Sequence, residues 1–449
     1  MTDNGNQPRL VRTLTVKNFS VIKEAKLEFG KITVLIGPQS SGKSLLCKLA
    51  YFLGKELIDH AMNSILVGNP WEQFVSTSSE VFRSRFDADG STFFVNSTIR
   101  FESGKYTVWN ERSANTKLPK LRFGAEFKAK YTALVGASDP DRPTPPESPN
   151  PTGPSSFSRR EEVWHGINQI ISGREPDGAF YIPAGRAFFT NTAKSLAIVS
   201  NPGLDKITRD FSAQLLWEQR WKIGLLTTGR GITDELARAM TGIARGSVVR
   251  DSGSPIFLGE DGRKTQLEML SSGTQELLPL FEVIEQTMFF REHSVERDKP
   301  IRLPNGEFQY VTAKPLIYVE EPEANVFPKT QYELVQLFSW LASDPILDFS
   351  WVITTHSPYI LSSFNNLIEA GQAAQNNPRL RNKIAKIVPE KYWIKGGDFA
   401  AYGIEDGKLK SILNKSGFVE ANYLDQVSEV IGDEFDKLLR LEYERAKVS

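Results

Sequence analysis

Eight consecutive residues decide the fold: Gly37-Pro38-Gln39-Ser40-Ser41-Gly42-Lys43-Ser44. They match the pattern G-x-x-x-x-G-K-[ST], which is short, so its position in the chain matters. The β-branched run at 31–36 in front of it predicts a buried strand. Behind it, the apolar residues between 45 and 62 recur at helical spacing. A strand, a glycine-rich turn and a helix in this order predict a loop that binds phosphate at a helix N-terminus.

Each part of this loop has a physical role in binding a nucleotide. Gly37 and Gly42 let the backbone curl, so that N–H groups surround the β-phosphate. Lys43 reaches the β- and γ-phosphates, and Ser44 offers its hydroxyl to Mg²⁺. Residues 38–41 complete the predicted binding set. The sequence therefore predicts a nucleoside triphosphate and Mg²⁺ as ligands.

Composition places the protein in a reducing, aqueous compartment. The chain has 449 residues, and Lys plus Arg equal Asp plus Glu at 54 each. The whole chain therefore lacks the excess positive field that dominates non-specific nucleic-acid binding, although a local basic patch stays open. A single cysteine, Cys47, excludes an internal disulfide. The polar N-terminus and the absence of an apolar run of about 20 residues predict a cytoplasmic protein without a membrane partner.

Changes in composition divide the chain into four segments. Residues 1–68 and 176–390 show the strand and helix patterns of an α/β fold, and 391–449 predicts two short strands and an amphipathic helix at 423–445. Between them, 69–175 predicts a helix, a hairpin at 92–109 and a third strand within 121–135, followed by a proline-rich mobile loop at 137–156. The expected fold is an α/β domain with a mixed sheet, an antiparallel β insertion and helical elements.

Two glutamates follow an apolar strand at 315–319. Hydrolysis of a phosphoanhydride needs an acidic group near the metal and a general base that positions water. We therefore assign Glu320 to Mg²⁺, directly or through water, and Glu321 to the base. The alternative is a solvated strand end without a chemical role.

Two further segments carry polar groups at element ends. Leu270-Ser271-Ser272-Gly273-Thr274-Gln275-Glu276 opens a predicted helix, 272–290. Ser272 and Gln275 form an S-x-x-Q capping box, or else Ser272 and the free N–H groups form a second anion site. His356 follows a predicted strand at 350–354, where a histidine is either structural or a sensor of the ligand.

The order of these four segments resembles the ABC-type ATPase heads of the RecF, Rad50 and OLD (overcoming lysogenization defect) group. The shared features are a P-loop, an LSSGxQE-like signature, a hydrophobic strand ending in EEPE at 320–323 and a TTHSP switch at 354–358. The start of the chain, at 14–19 and 32–37, also looks like that group. The resemblance covers roughly 12–60 and 178–363.

The resemblance implies an ABC-type head that hydrolyses ATP in a site shared by two copies. It implies that Ser272 and Gly273, within a signature that includes Leu270, Ser271 and Gln275, contact the γ-phosphate bound by the other subunit. It also implies that Glu321 is the catalytic base and that His356 senses the γ-phosphate. Lys43 is the third residue of this catalytic set. Residues 323–328 resemble the segment that crosses the dimer interface, but depart from the common form at Asn325 and Phe327.

One element of the group, the Q-loop glutamine, has no clear counterpart here. Gln169 is one candidate. Residues 181–186, Tyr-Ile-Pro-Ala-Gly-Arg, look like the P-A-x-R element of OLD-type ATPases, which implies that Arg186 lies near the nucleotide. The alternative for Arg186 is a salt-bridged surface arginine.

Three functional hypotheses remain. The first is the sensor ATPase subunit of an anti-phage defence system, similar to OLD, Septu or PARIS ATPases, with a DNA or phage-protein trigger and a separate effector such as a nuclease. The second is a RecF- or Rad50-like DNA-repair ATPase. The third is a nucleotide-gated scaffold with little turnover. The sequence shows no long heptad arm of the Rad50 kind. Fewer than a hundred residues follow His356, and they show no acidic cluster of the kind that a nuclease needs. Both observations favour the first hypothesis.

Overall fold

The computed structural model describes residues 12–86, 93–112, 119–136, 154–171, 179–192, 205–221, 231–251, 254–297, 301–302, 308–309, 314–420 and 433–437. Most of the proline-rich loop predicted at 137–156 lies outside them, and the described residues at its end, from Pro154, begin a helix instead. Most of the helix predicted at 423–445 also lies outside them, and 433–437 within it are helical.

The strands of the described residues agree closely with the sequence pattern in the α/β segments. The strand at Leu316–Glu320 begins and ends within a residue of the prediction. The strands are β1 Thr13–Phe19, β2 Ile22–Glu28, β3 Ile32–Ile36, β4 Phe93–Ser103, β5 Tyr106–Arg112, β6 Pro119–Phe123, β7 Ala179–Ile182, β8 Gly246–Asp251, β9 Ser254–Gly259, β10 Lys264–Gln266, β11 Ile301–Arg302, β12 Phe308–Gln309, β13 Leu316–Glu320, β14 Ser350–Thr355, β15 Phe399–Glu405 and β16 Lys408–Ser411.

The helices follow the predicted order with longer bounds in places. A π-helical turn, Phe52–Glu56, joins the first two, so the helix expected at 45–62 continues to Val67. The α-helices are α1 Lys43–Tyr51, α2 Leu57–Val67, α3 Trp71–Phe86, α4 Ala125–Gly136, α5 Pro154–Asn168, α6 Ala187–Thr192, α7 Lys206–Trp221, α8 Gly231–Ala244, α9 Ser272–Arg297, α10 Pro328–Ser343, α11 Pro358–Asn376 and α12 Arg381–Ile387.

One large mixed sheet organises the fold, with the strand order β6-β5-β4-β1-β2-β16-β15-β3-β14-β13-β7. The neighbours from β15 through β3, β14 and β13 to β7 are all parallel. Their carboxyl ends therefore meet at one edge of the sheet, where open α/β sheets bind ligands. The mixed α/β fold expected from the sequence is confirmed.

The insertion and the tail are part of this sheet, a feature that the sequence did not indicate. β4 pairs antiparallel with β1, with Phe101 opposite Leu14. β15 pairs parallel with β3, with Ala401 beside Val34. The third strand expected within 121–135 is β6, which pairs antiparallel with β5; it begins two residues earlier than predicted and ends at 123, and the residues that follow form α4. One neighbour of the P-loop strand β3 thus comes from the tail of the chain, and one neighbour of β1 comes from the insertion.

Hydrophobic residues form a core on each face of the sheet. Ile32, Val34 and Ile36 of β3 belong to the core that also holds α9, α10 and α11. Leu35 belongs to the other core, which contains α1, α2 and α3. Burial on both faces explains the continuous apolar run of β3, because parallel strands are covered by helices on both sides. Among the residues that the structure describes, no helix is long and apolar enough to cross a membrane.

Candidate functional site

The loop of residues 37–44 connects β3 to α1 at the carboxyl edge of the parallel strands. Gly42 has a φ of 102°, and a Cβ atom there would lie 2.4 Å from Cδ1 of Ile22. At Gly37, a Cβ atom would lie 2.8 Å from the carbonyl oxygen of Ile404 on β15. Ser41 Oγ is buried without a hydrogen-bond partner. The loop therefore needs glycine at both ends and retains one unused hydroxyl.

The ammonium group of Lys43 is held by its own loop. Nζ donates to the carbonyl oxygens of Gly37 and Pro38, each at 2.8 Å. Burial lowers the pKa of Lys43, whereas the charges of Glu321 and Glu323 act in the opposite direction. The lysine charge is thus positioned at the centre of the loop, with two carboxylates nearby.

The two glutamates at the end of β13, Glu320 within the strand and Glu321 directly after it, have different surroundings. Glu320 is buried, and its carboxylate accepts hydrogen bonds from the Tyr181 hydroxyl at 2.6 Å and the Ala184 N–H at 3.1 Å. Burial, and then the charge of Glu320, raise the pKa of Tyr181 well above its ordinary value, so the hydroxyl stays a donor. The Glu321 side chain is 39% exposed and is free to face a ligand.

His356 lies beside Glu321 at the end of β14, between the P-loop strand and β13. Its Nε2 is 3.5 Å from Oε1 of Glu321. Its backbone N–H donates at 2.6 Å to Oε1 of Glu323, which also accepts from the Thr355 hydroxyl at 2.8 Å. The structure therefore brings Lys43, Glu321 and His356 to one edge of the sheet.

Glu323 is the residue that sequence reasoning missed as part of this site. Burial raises the pKa of Glu323, although the hydrogen bond from the His356 N–H opposes this. Its second oxygen, Oε2, is buried without a hydrogen-bond partner. The last glutamate of the EEPE segment was the available signal, because a carboxylate is costly to bury unless it has a specific role.

The signature-like segment begins α9, but its cap differs from the expected one. Ser271, not Ser272, caps the helix: its Oγ accepts from the Thr274 N–H at 3.3 Å. Gln275 Nε2 donates to the carbonyls of Leu267 and Glu268 instead of reaching back to Ser272. The predicted capping box of Ser272 and Gln275 was therefore wrong. Ser272 is the first helical residue, with an exposed side chain.

Gly273 brings the start of α9 against the segment that follows β13. A Cβ atom on Gly273 would lie 2.6 Å from the carbonyl oxygen of Asn325. Asn325 itself has a φ of 58°, a left-handed conformation that asparagine adopts more readily than most residues. The signature segment and residues 323–328, which the resemblance places at a dimer interface, are thus in direct contact.

Arg186 lies inside the protein, not on the surface. Its exposed fraction is 0%, and its guanidinium donates to the carbonyls of Glu276 at 2.9 Å and Glu320 at 2.8 Å. The surface alternative for this residue was wrong, because a side chain without exposed surface forms an internal bridge. Its proximity to the nucleotide stays a prediction. The Q-loop candidate Gln169 lies exposed just after α5, where its side chain accepts from Lys130 at 2.7 Å.

The residues assigned to Mg²⁺ supply the type of donor that this ion prefers. Mg²⁺ binds oxygen and is usually held by one or two protein groups together with substrate phosphates. The Ser44 hydroxyl and the Glu320 carboxylate provide that set. In the part of the chain that the structure describes, no cluster of three His, Cys, Asp or Glu residues forms a metal site.

The P-loop, the two glutamates at the end of β13 and His356 lie together at one edge of the sheet. A protein-family model described as an AAA ATPase domain matches residues 189–361. The matched range contains the signature-like segment, Glu320, Glu321 and His356, and the P-loop precedes it. No curated protein sequence matches the chain.

Several solved structures are similar over most of their length at low sequence identity. An SMC head bound to the C-terminal winged-helix domain of ScpA has a TM-score of 0.42 and 12% identity, covering 90% of this chain and 96% of that one. The SMC head domain from Thermotoga maritima has a TM-score of 0.37 and 9% identity, with 90% and 98% covered. The ADP form of an ATP-binding cassette of an ABC transporter has a TM-score of 0.32 and 10% identity, with 93% and 97% covered.

Proposed function

We propose that this protein binds ATP with Mg²⁺ and hydrolyses it to ADP and phosphate. The observation that carries the proposal is the pairing of Glu321 with His356, at 3.5 Å, on the same sheet edge as the P-loop. An exposed carboxylate beside a histidine and a phosphate-binding lysine has the arrangement needed to position water. The same pairing favours turnover over a scaffold that only holds nucleotide.

Each residue of the site has a specific task in this reaction. Lys43 and the loop N–H groups bind the phosphates, and Ser44 with Glu320 would hold Mg²⁺, which neutralises charge on the β- and γ-phosphates. Glu321 accepts a proton from the attacking water, and His356 contacts the γ-phosphate. The anchoring of Glu320 by Tyr181 and Ala184 fixes its carboxylate, so it can act through water.

We propose further that the working unit is a homodimer or higher homo-oligomer with composite sites. Ser272 begins α9 with an exposed side chain, and helix N-termini favour anions. Large apolar side chains flank the contact between Gly273 and Asn325: Met269 and Phe327 are each 76% exposed. Exposed apolar groups beside a polar anion site are consistent with a surface that a second copy covers.

Composite sites predict a specific pattern of complementation. Ser272→Arg should block hydrolysis in its own homodimer, because the long cation would occupy the anion site. Mixed with Lys43→Ala, it should regain one working site per heterodimer, measured as phosphate release after co-refolding or co-expression. Thr274→Arg, two residues further along α9, is the matched control for added charge. If heterodimers form and mixing never restores activity, the site lies within one chain.

We propose that ATP-driven closing makes the protein a cytoplasmic switch, the sensor subunit of an anti-phage defence system. The support is the resemblance of the four motifs to OLD-, Septu- and PARIS-like ATPases. All chemical groups placed above surround one nucleotide, so the biological output is assigned to a separate effector, such as a nuclease, with DNA or a phage protein as trigger.

A separate effector has a direct biochemical consequence. The purified protein should release phosphate from ATP, yet leave DNA and RNA intact with Mg²⁺ or Mn²⁺ and ATP. It should also form a stable complex with the product of a neighbouring gene, measured by co-purification. Metal-dependent cleavage by this chain alone, lost on mutating its own carboxylates, would overturn the proposal.

A DNA-repair ATPase is the second candidate, and one surface favours it. Residues 379–395 include six basic side chains and one acidic one, Glu390, although the whole chain is neutral. Arg379, Lys383 and Lys386 are exposed at helical spacing. Clustered cations of this kind suit a phosphate backbone. Stimulation of phosphate release by duplex DNA, lost in the Lys383→Glu/Lys386→Glu variant, would favour repair over defence.

A further inference from the structure

Arg186 bridges two elements of the candidate site from inside the protein. Nε donates to the carbonyl of Glu276 at 2.9 Å and lies 3.6 Å from its carboxylate, on the first turns of α9. Nη1 donates to the carbonyl of Glu320 at 2.8 Å, at the end of β13. One side chain thus connects the start of the signature helix to the strand that carries the catalytic carboxylate.

The burial of Arg186 is costly and needs an explanation. Desolvation lowers the pKa of Arg186, opposed mainly by the charge of Glu276 and then by Glu323, Glu321 and Glu320. A fully buried guanidinium is stable only when its donors are hydrogen-bonded. Here they are used on backbone carbonyls of two separate elements, so the side chain fixes their relative position.

The backbone of Glu321 is held in a strained conformation at this bridge. Its φ is 44°, in the left-handed region that residues with a Cβ atom rarely adopt. Its N–H donates to the carbonyl of Thr354 at 2.9 Å, and its carbonyl accepts from Nη2 of Arg186 at 3.4 Å and Nη1 at 3.5 Å. Strained residues persist at functional sites only where surrounding contacts hold them.

We infer that Arg186 is a positioning residue that holds Glu321 in this left-handed conformation and ties it to the start of α9. In this conformation the Glu321 carboxylate lies beside His356, with Oε1 3.5 Å from Nε2. Thr354 holds the residue from the N–H side, and Arg186 holds it from the carbonyl side. The inference rests on the proposed role of Glu321 as the base.

Three substitutions test the inference. Arg186→Met removes every hydrogen-bond donor of the side chain and keeps an apolar stem of similar length. Arg186→Lys keeps the positive charge but has one nitrogen where arginine has three. Arg263→Met is the control, because the Arg263 side chain is 83% exposed and lies elsewhere in the protein. The measurements are kcat and KM for phosphate release, the dissociation constant for ATP, and Tm. A purely structural role would lower Tm and affect all of these parameters together.

We expect Arg186→Met to lower kcat about 10- to 100-fold, because small misplacement of a catalytic group has effects of this size. The ATP dissociation constant should stay within about twofold, since the P-loop is untouched. In the Glu321→Gln background the same substitution should cause no further loss. Arg263→Met should match the wild type.

The outcomes separate this inference from the proposed function. If the wild type hydrolyses ATP and Glu321→Gln does not, while folded Arg186→Met keeps its kcat, the inference is wrong and the function stands. If Arg186→Met does not fold, Arg186→Lys decides: a lower kcat at unchanged ATP affinity supports the inference, and an unchanged kcat overturns it. Turnover by Glu321→Gln would instead refute the assigned base.

Discussion

Lys43→Ala is expected to raise the dissociation constant for ATP by at least about 100-fold. Charge-assisted hydrogen bonds contribute about 1.5–3 kcal/mol each, and Lys43 is placed to make two to the phosphates. Its ammonium group is already oriented, since Nζ is fixed at 2.8 Å from the carbonyls of both Gly37 and Pro38. No other lysine of the loop can replace it. ATP binding is measured by titration with a fluorescent analogue or by calorimetry.

The control separates loss of phosphate contact from loss of structure. Alanine leaves the two loop carbonyls without their donor, so a small decrease in Tm accompanies the loss of binding. Lys26→Ala removes an equal charge from an exposed position on β2 and should bind ATP normally. Wild-type affinity in folded Lys43→Ala would contradict the assignment of the P-loop as the ATP site.

Glu321→Gln is expected to lower kcat by about 10²–10⁴-fold while ATP still binds. A general base contributes rate enhancement of this order, and glutamine keeps the shape of glutamate without its basic oxygen. The side chain lies 3.5 Å from Nε2 of His356 and is exposed, so its removal leaves the phosphate loop intact. Phosphate release and ATP binding, measured on the same preparation, give the two parameters separately.

A matched exposed glutamate gives the comparison for this variant. Glu260→Gln changes the same charge on a turn after β9 and should not alter turnover. Loss of ATP binding in Glu321→Gln would assign the residue to nucleotide binding instead of catalysis. Unimpaired phosphate release would exclude Glu321 as the base and leave the pairing with His356 without a chemical role.

Local patterns were sufficient where an element carries its own signal. The β-branched run of β3, the glycines of the loop and the helical spacing of α1 lie within about twenty consecutive residues, so this strand, loop and helix could be predicted. The strand β13 was equally clear, because its apolar run ends abruptly in charge. The capping of α9 was assigned one residue too late, since either Ser271 or Ser272 fits the pattern and packing selects between them.

Contacts between distant segments of the chain could not be predicted from such local patterns. Nothing in the composition of β15 indicates that it pairs with β3, which lies more than 360 residues earlier in the chain. The resemblance gave Glu323 only as the start of a segment at a dimer interface, whereas in the structure its carboxylate accepts hydrogen bonds from the Thr355 hydroxyl and the His356 N–H. Such partners are set by the sheet order, which local periodicity does not contain.

By itself, the sequence determined the P-loop, the order of strands and helices around it and the residue types that a nucleotide site requires. Those features depend on spacing along one or two elements, which the chain specifies directly. Only the tertiary structure decided that β15 lies beside the P-loop strand and that Arg186 is buried between α9 and β13. The physical reason is that a buried guanidinium must satisfy its donors with carbonyl groups from whichever segments surround it, and the sheet brings those segments together.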